Sequence, residues 1–232
     1  MIWDKKFRDG MKWCGEITNL EQKQIIANRI AEMACDGDVI GFGSGSTSFL
    51  IANEIGRRIR DEGLRVSAIP TSPEIEMACF DLGIQVESIN NVRPDWCFDG
   101  ADEVDSEGNL IKGRGGCMFM EKLLMRCSPK TYIAVDQTKL VDNLGTNFAI
   151  PIEIHPKSLM AVKEQLSDLG ASEITLRLAK AKDGPVITES ANYILDVRFA
   201  QVYNGLEQDI KLITGVIESG LFMGYPIEVI TV

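Results

Sequence analysis

Residues 39–60 read VIGFGSGSTSFLIANEIGRRIR, and this stretch decides the fold. The apolar run Val39–Phe42 predicts a buried strand, and the glycines after it predict a tight turn. Apolar residues at helical spacing then predict a helix over residues 48–60. A strand, a glycine turn and a helix in this order form the first half of a βαβ unit. The stretch therefore predicts an α/β protein with a parallel sheet.

The same alternation continues to residue 135. Apolar spacing predicts helices over 20–35, from 73 to 83 and over 117–127, and short strands at 64–69, 84–88, 96–98 and 132–135. Strands that alternate with helices are joined by right-handed crossovers. The pattern therefore predicts a doubly wound, mostly parallel sheet of the Rossmann-like type.

A different order of elements follows residue 148. Strands are predicted at 150–154, 173–178, 192–199 and 216–219, with helices at 159–169 and 206–213. The order βαββαβ is typical of a ferredoxin-like α+β lobe. A last strand at 227–232 is expected to return to the main sheet. We therefore expect a Rossmann-like catalytic domain of residues 1–148 and about 220–232, and a smaller ferredoxin-like domain over 149–219.

Composition limits the classes of partner. The 232 residues include 24 Lys and Arg against 34 Asp and Glu, a formal charge of −10, and 45% are hydrophobic. A net acidic surface works against nucleic acid and anionic membranes, because polyanion binding depends on clustered lysine and arginine. No apolar stretch reaches the roughly 18 to 20 residues that span a bilayer, and residues 1–18 lack the apolar core of a signal peptide. We expect a cytoplasmic protein that binds neither nucleic acid nor membrane.

Cysteine and histidine usage narrows the chemistry. The six cysteines are scattered without a Cys-x-x-Cys pair or nearby histidines, so we expect no metal site and no disulfide. Cys35, Cys79 and Cys127 fall on predicted apolar helix faces, where a reduced thiol packs as a small hydrophobe. His155 is the only histidine and stands before a proline at a predicted strand end, where we expect a structural role. Acid–base chemistry is therefore expected from carboxylates and lysines.

The first functional block is the turn GFGSGST at residues 41–47. Backbone N–H groups in such a turn, together with the helix N-terminus, form a site for an anion. The block lacks the third glycine of a dinucleotide fingerprint and the Gly-Lys-Ser/Thr of a P-loop. A phosphate monoester or a compact polyol phosphate fits it better, and an ordinary tight turn is the alternative.

The second block, DGADEVD at residues 99–105, directly follows the predicted strand 96–98. Carboxylates at the C-terminal end of a parallel strand lie in the crevice where doubly wound sheets bind ligands. Asp99 and Asp102 are close enough in sequence to face one site, whereas Glu103 and Asp105 fit a solvated acidic turn. An EF-hand is excluded, because Ala101 stands at its third position and its sixth position lacks glycine.

The third block is LIKGRGG at residues 110–116, followed by Glu121 and Lys122 in a predicted helix. A glycine-rich loop with one lysine brings a cation and several N–H groups near a substrate. Lysine, glutamate and aspartate together can carry out enolisation. One carboxylate removes a proton next to a carbonyl, the lysine stabilises the developing oxyanion, and a second carboxylate moves the hydroxyl proton. An ordinary surface helix is the alternative for Glu121 and Lys122.

From about residue 20 to the C-terminus, these blocks resemble the ribose-5-phosphate isomerase A family in type and order. Further matching motifs are DQTKLV at 136–141, PIE at 151–153, NYILD at 192–196 and GLF at 220–222. The resemblance implies a cofactor-free aldose–ketose isomerase that interconverts ribose 5-phosphate and ribulose 5-phosphate through an enediolate, in the non-oxidative branch of the pentose phosphate pathway. It also implies a homodimer or homotetramer.

The resemblance also implies roles for particular residues. Glu121 matches the base that transfers the proton between C1 and C2, and Lys112 matches the residue that stabilises the oxyanion. Asp99 matches the group that handles ring opening and hydroxyl protons, supported by Asp102. Lys139 matches a substrate-binding lysine that is expected to face the phosphate. The other positions that match the substrate-binding loops are Ser44, Gly45, Ser46, Thr47, Gly100, Ala101, Gly113, Arg114 and Gly115.

Departures from the family pattern leave two alternatives open. Arg114 and Cys117 stand where the family commonly has glycine and alanine, Ser44 replaces a frequent threonine, and TESA at 188–191 replaces Thr-Asp-Asn-Gly. Because Arg114 lies inside the expected site, one alternative is an isomerase of the same fold for another sugar phosphate, with an extra anionic or bulky group. The other is a non-catalytic sugar-phosphate sensor, against which the retained Asp99, Lys112 and Glu121 argue.

Overall fold

A computed structural model describes Trp13 and residues 16–232 of the chain. Cys14, and most of the N-terminal stretch in which no signal peptide is expected, lie outside the described residues. The chain divides into two compact units, each of which is described by itself. The first contains the described residues up to Gly100, with Leu124–Asp136 and Ile227–Val232, and the second contains Ala101–Leu123 and Gln137–Pro226.

The described residues form six α-helices, thirteen strands and two short 3₁₀ turns. The helices are α1 (Leu20–Ala31), α2 (Ser46–Glu62), α3 (Pro73–Leu82), α4 (Met118–Cys127), α5 (Leu159–Asp168) and α6 (Leu206–Leu212). The strands are β1 (Val39–Phe42), β2 (Ser67–Pro70), β3 (Gln85–Val86), β4 (Trp96–Asp99), β5 (Glu103–Val104), β6 (Leu110–Ile111), β7 (Thr131–Ala134), β8 (Ile150–Ile154), β9 (Ala171–Leu176), β10 (Tyr193–Phe199), β11 (Val216–Ser219), β12 (Leu221–Phe222) and β13 (Ile227–Ile230). Short 3₁₀ turns lie at Gln137–Lys139 and Pro156–Ser158.

The first unit is built on a sheet whose strand order is β13-β7-β4-β1-β2-β3. All of its pairings are parallel, including that of the last strand β13 with β7. The strand order reverses at β1, which has β2 on one side and β4 on the other, so the crevice at the C-terminal ends of β1 and β4 is a topological switch point. The predicted doubly wound, Rossmann-like sheet and the return of the last strand are therefore confirmed.

Apolar periodicity explains how the helices pack in this unit. Ile51 and Ile55 of α2 are fully buried in one core cluster with Ile40 and Phe42 of β1. Helix α1 ends earlier than predicted, at Ala31, and the chain then turns. The prediction that Cys35 packs on an apolar helix face is wrong, because Cys35 is exposed in that turn. Its N–H donates to the Asp38 carboxylate at 2.9 Å.

The second unit contains an antiparallel sheet with the strand order β11-β8-β10-β9. Its elements follow the predicted order βαββαβ, and strands β8 and β11 have the predicted bounds. The four strands and the helices α5 and α6 enclose a separate core, in which Ile152, Val162, Leu195 and Ile210 are fully buried. The predicted ferredoxin-like lobe is therefore confirmed.

A second, smaller sheet in this unit is not predicted from the sequence. Strands β5, β6 and β12 are two residues long each and pair antiparallel in the order β12-β6-β5. Strand β5 lies inside the second functional block, and β6 opens the third one. Both blocks are thus attached to a sheet and are not simple loops.

Three general properties hold for the described part of the chain. None of its helices is long and apolar enough to cross a membrane. No disulfide joins the cysteines that it contains. It holds no group of His, Cys, Asp or Glu side chains arranged to ligate a metal ion.

Candidate active site

The first block forms the turn between β1 and α2, at the switch point of the parallel sheet. The Gly43 N–H donates to the carbonyl oxygen of Phe98 in β4 at 2.8 Å, which ties the turn to the neighbouring strand. Gly45 precedes α2 with φ 92°, a conformation that favours glycine. Ser44, Gly45 and Ser46 are partly exposed, whereas Thr47 is buried. The turn therefore presents backbone N–H groups and the N-terminal end of a helix, which together attract an anion.

Asp99 ends strand β4 beside this turn, and its side chain is 2% exposed. Its Oδ1 accepts hydrogen bonds from the N–H of Ser44 at 3.2 Å and of Gly100 at 2.7 Å. A Cβ atom on Gly43 would lie 2.2 Å from Asp99 Cγ and 2.6 Å from Asp99 Cα, so only glycine fits there. The first two blocks therefore meet at one point, as their positions after adjacent parallel strands predict.

Lys112 and Glu121 form a buried ion pair in the second unit. Lys112 directly follows β6, and Glu121 lies in the first turn of α4. The Lys112 Nζ and Glu121 Oε1 atoms are 3.4 Å apart, and the residues are 3% and 5% exposed. The alternative that Glu121 lies on an exposed helix surface is therefore wrong. A carboxylate and an ammonium group held together away from water interact more strongly than in solvent, and they can act on one reacting carbon and its oxygen.

The GLF motif at residues 220–222 holds Lys112 in place. The Lys112 N–H donates to the Gly220 carbonyl oxygen at 2.8 Å. A Cβ atom at Gly220 would lie 2.1 Å from the Lys112 carbonyl oxygen, so the two backbones approach as closely as glycine allows. The ring of Phe222 lies 5.8 Å from Lys112 Nζ, within the range of a cation–π contact.

The glycine-rich loop after Lys112 is held by an arginine that the sequence did not reveal. Arg177 Nη1 donates to the carbonyl oxygens of Gly113 at 3.0 Å and of Arg114 at 2.9 Å. The same guanidinium is oriented by Asp196, whose Oδ2 accepts from Arg177 Nε at 2.9 Å and whose Oδ1 accepts from Nη2. Asp196 belongs to the NYILD motif, so that motif contained a signal for this contact, but Arg177 lies outside every motif.

The remaining members of the second and third blocks differ in exposure. Asp102 is partly exposed, and its Oδ2 accepts the N–H of Arg114 at 3.3 Å. The side chain of Arg114 is exposed, as is Gly115. Ala101 is partly exposed in the second unit, and Gly100 is partly exposed at the end of β4 in the first.

Glu103 does not belong to a solvated acidic turn, and that expectation is wrong. Its side chain is fully buried. Its carboxylate accepts the backbone N–H groups of Gly145 at 2.6 Å, of Phe148 at 2.9 Å and of Asn147. These hydrogen bonds shape the segment in which the Phe148 ring lies 5.0 Å from the Nζ of Lys139, a partly exposed lysine.

Lys122 is the centre of a second buried charge cluster. Its Nζ donates to Glu207 Oε1 at 2.7 Å, to Glu218 Oε1 at 2.9 Å and to the Leu221 carbonyl oxygen at 2.9 Å. Burial works to raise the pKa of Glu218, but the charge and hydrogen bond of Lys122 outweigh it and lower that pKa below its ordinary value. The sequence marked Lys122 only as the neighbour of Glu121, because its partners lie 85 and 96 residues away.

Comparison with known proteins identifies the family. The model of the family described as ribose 5-phosphate isomerase A (phosphoriboisomerase A) matches residues 67–232. The ribose-5-phosphate isomerase A of Methanothermobacter thermautotrophicus is 39% identical over 204 residues, covering 87% of this chain and 89% of that protein. The ribose-5-phosphate isomerase A of a Synechococcus species is 41% identical over 215 residues, and the aligned region covers 90% of this chain and 90% of that protein.

Solved structures agree with this result. The ribose 5-phosphate isomerase A of Methanocaldococcus jannaschii superposes with a TM-score of 0.88 at 38% identity, covering 92% of this chain and 95% of that chain. A D-ribose-5-phosphate isomerase in complex with phospho-erythronic acid gives a TM-score of 0.87 at 35% identity, with coverages of 93% and 96%. The resemblance found in the sequence is confirmed, and the chain belongs to the ribose-5-phosphate isomerase A family.

Proposed function

We propose that this chain interconverts D-ribose 5-phosphate and D-ribulose 5-phosphate through an enediolate, with Glu121 as the base and Lys112 as the oxyanion stabiliser. The chain is an aldose–ketose isomerase, as its family membership states. The observation that carries the residue assignment is the buried Lys112–Glu121 pair, with 3.4 Å between Nζ and Oε1. A base and a cation at this separation are suited to a carbon that loses a proton and the oxygen that becomes negative.

The transfer of the proton between the two carbons fits one carboxylate and one ammonium group. Glu121 removes the proton from C2 of the open-chain aldose, and the electron pair moves toward the C1 oxygen, whose negative charge Lys112 stabilises. Glu121, now protonated, returns the proton to C1. A proton also leaves the C2 hydroxyl and is gained by the C1 oxygen, so that a ketone and a primary alcohol result. The substrate is neither oxidised nor reduced overall.

We assign ring opening and the hydroxyl proton transfers to Asp99, with Asp102 in a supporting role. The substrate ring opens when a base takes the proton of the C1 hydroxyl and the ring oxygen is protonated. The burial of Asp99 and its two backbone N–H donors support this role, because they hold one carboxylate oxygen in a defined place. Asp102 supports the glycine-rich loop through the N–H of Arg114.

Substrate binding is assigned to the glycine turns and one lysine. In the first unit the residues are Ser44, Gly45, Ser46, Thr47 and Gly100, and in the second they are Ala101, Gly113, Arg114, Gly115 and Lys139. The backbone N–H groups and helix N-terminus of the first turn suit an anionic sugar. Lys139 supplies a cation for the phosphate. The relative bound to phospho-erythronic acid supports this assignment, since that ligand carries a phosphate and an acid group.

The test of the base is Glu121→Gln in the full-length chain. The amide keeps the size of the side chain but cannot accept a proton at neutral pH, so kcat should fall by about 100-fold or more while binding of ribose 5-phosphate is largely kept. Glu164→Gln, at an exposed position of α5, is the matched control. Near wild-type kcat in Glu121→Gln would show that the base is misassigned.

The enediolate is tested by running the wild-type reaction in D₂O. Proton transfer through a carboxylate exchanges part of the migrating hydrogen with solvent, so deuterium should appear on the carbon of the product. A hydride shift would leave that hydrogen in place, and no incorporation would contradict the enediolate. Failure of well-folded protein to turn over ribose 5-phosphate at all would contradict the substrate.

Arg114 keeps a second substrate under consideration. Its side chain is exposed, while its N–H is held by Asp102 and its carbonyl oxygen by Arg177. A fixed backbone with an exposed guanidinium suits a sugar phosphate that carries a further anionic group. A panel of phosphorylated aldoses and ketoses, with kcat/KM measured for the wild type and for Arg114→Gly, decides between the two. A preference for ribose 5-phosphate in both proteins would remove this alternative.

We also propose that the protein acts in the cytoplasm as a homodimer or homotetramer. The family resemblance and the small phosphorylated substrate support this. Size-exclusion chromatography with light scattering gives the subunit number, and a monomer at micromolar concentration would contradict the proposal.

A further inference from the structure

We propose that Lys122 is a positioning residue for the isomerisation, which sets the separation between Glu121 and Lys112. This inference rests on the proposed function of that pair. Lys122 itself touches neither reacting group. It joins the helix turn that carries Glu121 to the chain segment against which Lys112 is held.

One side of this connection is the set of contacts made by the Lys122 ammonium group. An ammonium group has three N–H donors, and those of Lys122 have acceptors on Glu207, Glu218 and Leu221 at 2.7 to 2.9 Å. Lys122 is 6% exposed, and the two glutamates are 7% and 8% exposed. Charge-assisted hydrogen bonds in a site with so little water restrict the direction of the side chain strongly. The first turn of α4 is therefore tied to the segment around Leu221.

The other side is the pairing of that segment with the strand that carries Lys112. Strand β12 pairs antiparallel with β6, with Leu221 opposite Ile111. The next residue, Lys112, donates its N–H to Gly220 at 2.8 Å. No side chain fits between these backbones, because a Cβ at Gly220 would lie 2.1 Å from the Lys112 carbonyl oxygen. A shift of β12 would therefore move Lys112 with it.

Phe222 lies next to both lysines. Its ring centroid is 4.7 Å from Lys122 Nζ and 5.8 Å from Lys112 Nζ. Both ammonium groups are attracted to the same ring by its quadrupole. The position of Phe222 thus depends on Lys122 and in turn bounds the position of Lys112.

The carboxylates that hold Lys122 are themselves fixed by further donors. Glu207 Oε2 accepts the N–H of Met223 at 2.8 Å, and Glu218 Oε2 accepts from Lys211 Nζ at 3.0 Å. A buried ionic cluster often adds little net stability compared with apolar packing, and we infer that this one fixes a single geometry. Loss of Lys122 would leave two buried carboxylates without their buried cation, and the segment 218–223 would rearrange.

The test separates positioning from stability with the variants Lys122→Met, Glu218→Gln and the double variant. Lys122→Met alone should be destabilised, because it leaves buried negative charge uncompensated. The double variant removes one of those charges and should regain much of the stability lost. Its kcat should nevertheless stay about 10- to 100-fold below that of the wild type, with KM changed by less than about threefold, because a misplaced base affects the transition state most. Lys130→Met, which breaks an exposed ion pair with Glu228, is the control.

A second readout follows the migrating hydrogen in D₂O. If Glu121 is displaced from its wild-type position, the proton that it carries has more time to exchange, so the deuterium content of the product should rise in the double variant. A purely structural Lys122 would leave this content unchanged and would return kcat to the wild-type value together with stability; either result overturns the proposal. If Glu121→Gln retains wild-type activity, the proposed function itself is wrong. That result can be told apart from the two results for the double variant, because it is measured in a different protein.

Discussion

Gly43→Ala tests how tightly the turn after β1 is built against the carboxylate at the end of β4. The added Cβ would lie 2.2 Å from Asp99 Cγ, 2.3 Å from its Oδ1 and 2.6 Å from its Cα. Rotation of the Asp99 side chain relieves the first two contacts but not the third, because Cα belongs to the backbone. An ordinary van der Waals contact starts at 3.4 Å. The strand end or the turn must therefore move by about 1 Å.

The expected magnitudes follow from this shift. Overpacking of a close-packed interior costs about 1–3 kcal/mol in the free energy of unfolding. The displacement would also lengthen the hydrogen bonds from Ser44 and Gly100 that hold Asp99 Oδ1. A misplacement of about 1 Å in a catalytic group can cost about 100-fold in rate, so kcat/KM for ribose 5-phosphate should fall by about that factor.

Two assays and one control decide the outcome. Urea unfolding gives the change in stability, and a coupled assay of ribulose 5-phosphate formation gives kcat/KM. Gly56→Ala in α2 is the matched control, since its Cβ would lie 2.9 Å from the Leu82 side chain and would crowd the core without touching Asp99. A Gly43→Ala protein that is destabilised but retains wild-type kcat/KM would refute the role of Asp99. Unchanged stability would refute the steric argument itself.

Two further predictions concern buried groups. Glu103→Gln should lower the free energy of unfolding by about 2–4 kcal/mol, because an amide NH₂ group would face backbone N–H donors that now meet a carboxylate. Urea unfolding measures this change, and an unchanged midpoint of the urea transition would contradict the prediction. Burial, and then the charge of Glu76, raise the pKa of the Cys79 thiol to about 12. Iodoacetamide at pH 8 should therefore modify exposed Cys35 in the folded protein and spare Cys79, as peptide mass spectrometry would show; rapid labelling of Cys79 would disprove it.

The parts of the fold that the sequence predicts are those that depend on local patterns. Strands β1, β8 and β11 lie where the apolar runs place them, and Gly83 ends α3 with a positive φ of 75°. The three-stranded sheet of β5, β6 and β12 is missed for a physical reason. A strand of two residues is too short to show alternation, and its stability comes from pairing with residues that are distant in sequence.

The same distinction separates the site residues that can be found from those that cannot. Asp99 ends a strand, Lys112 precedes a glycine-rich loop, and Glu121 lies in the first turn of the helix after that loop, and all three are local features. The local sequence predicts a solvated Glu103, because nothing near it shows that its hydrogen-bond donors lie more than 40 residues further along the chain. Arg177 is also bound to distant partners, Gly113 and Arg114. Distant partners of this kind decide whether a charged side chain can be buried, and the sequence around that side chain does not show which residues they are.

Net charge and local charge have different consequences in this protein. A formal charge of −10 produces a long-range field that disfavours polyanions, yet that field is screened beyond about 8–10 Å at physiological ionic strength. A phosphorylated sugar is small enough to respond mainly to groups within that distance. The buried Lys112 and Lys122 are each held by carboxylates, so part of the acidic excess is what allows lysines to be placed in the interior. Under the proposed assignment, an acidic chain can therefore supply the cation for a developing oxyanion, since two of its glutamates hold Lys122 and Glu121 pairs with Lys112.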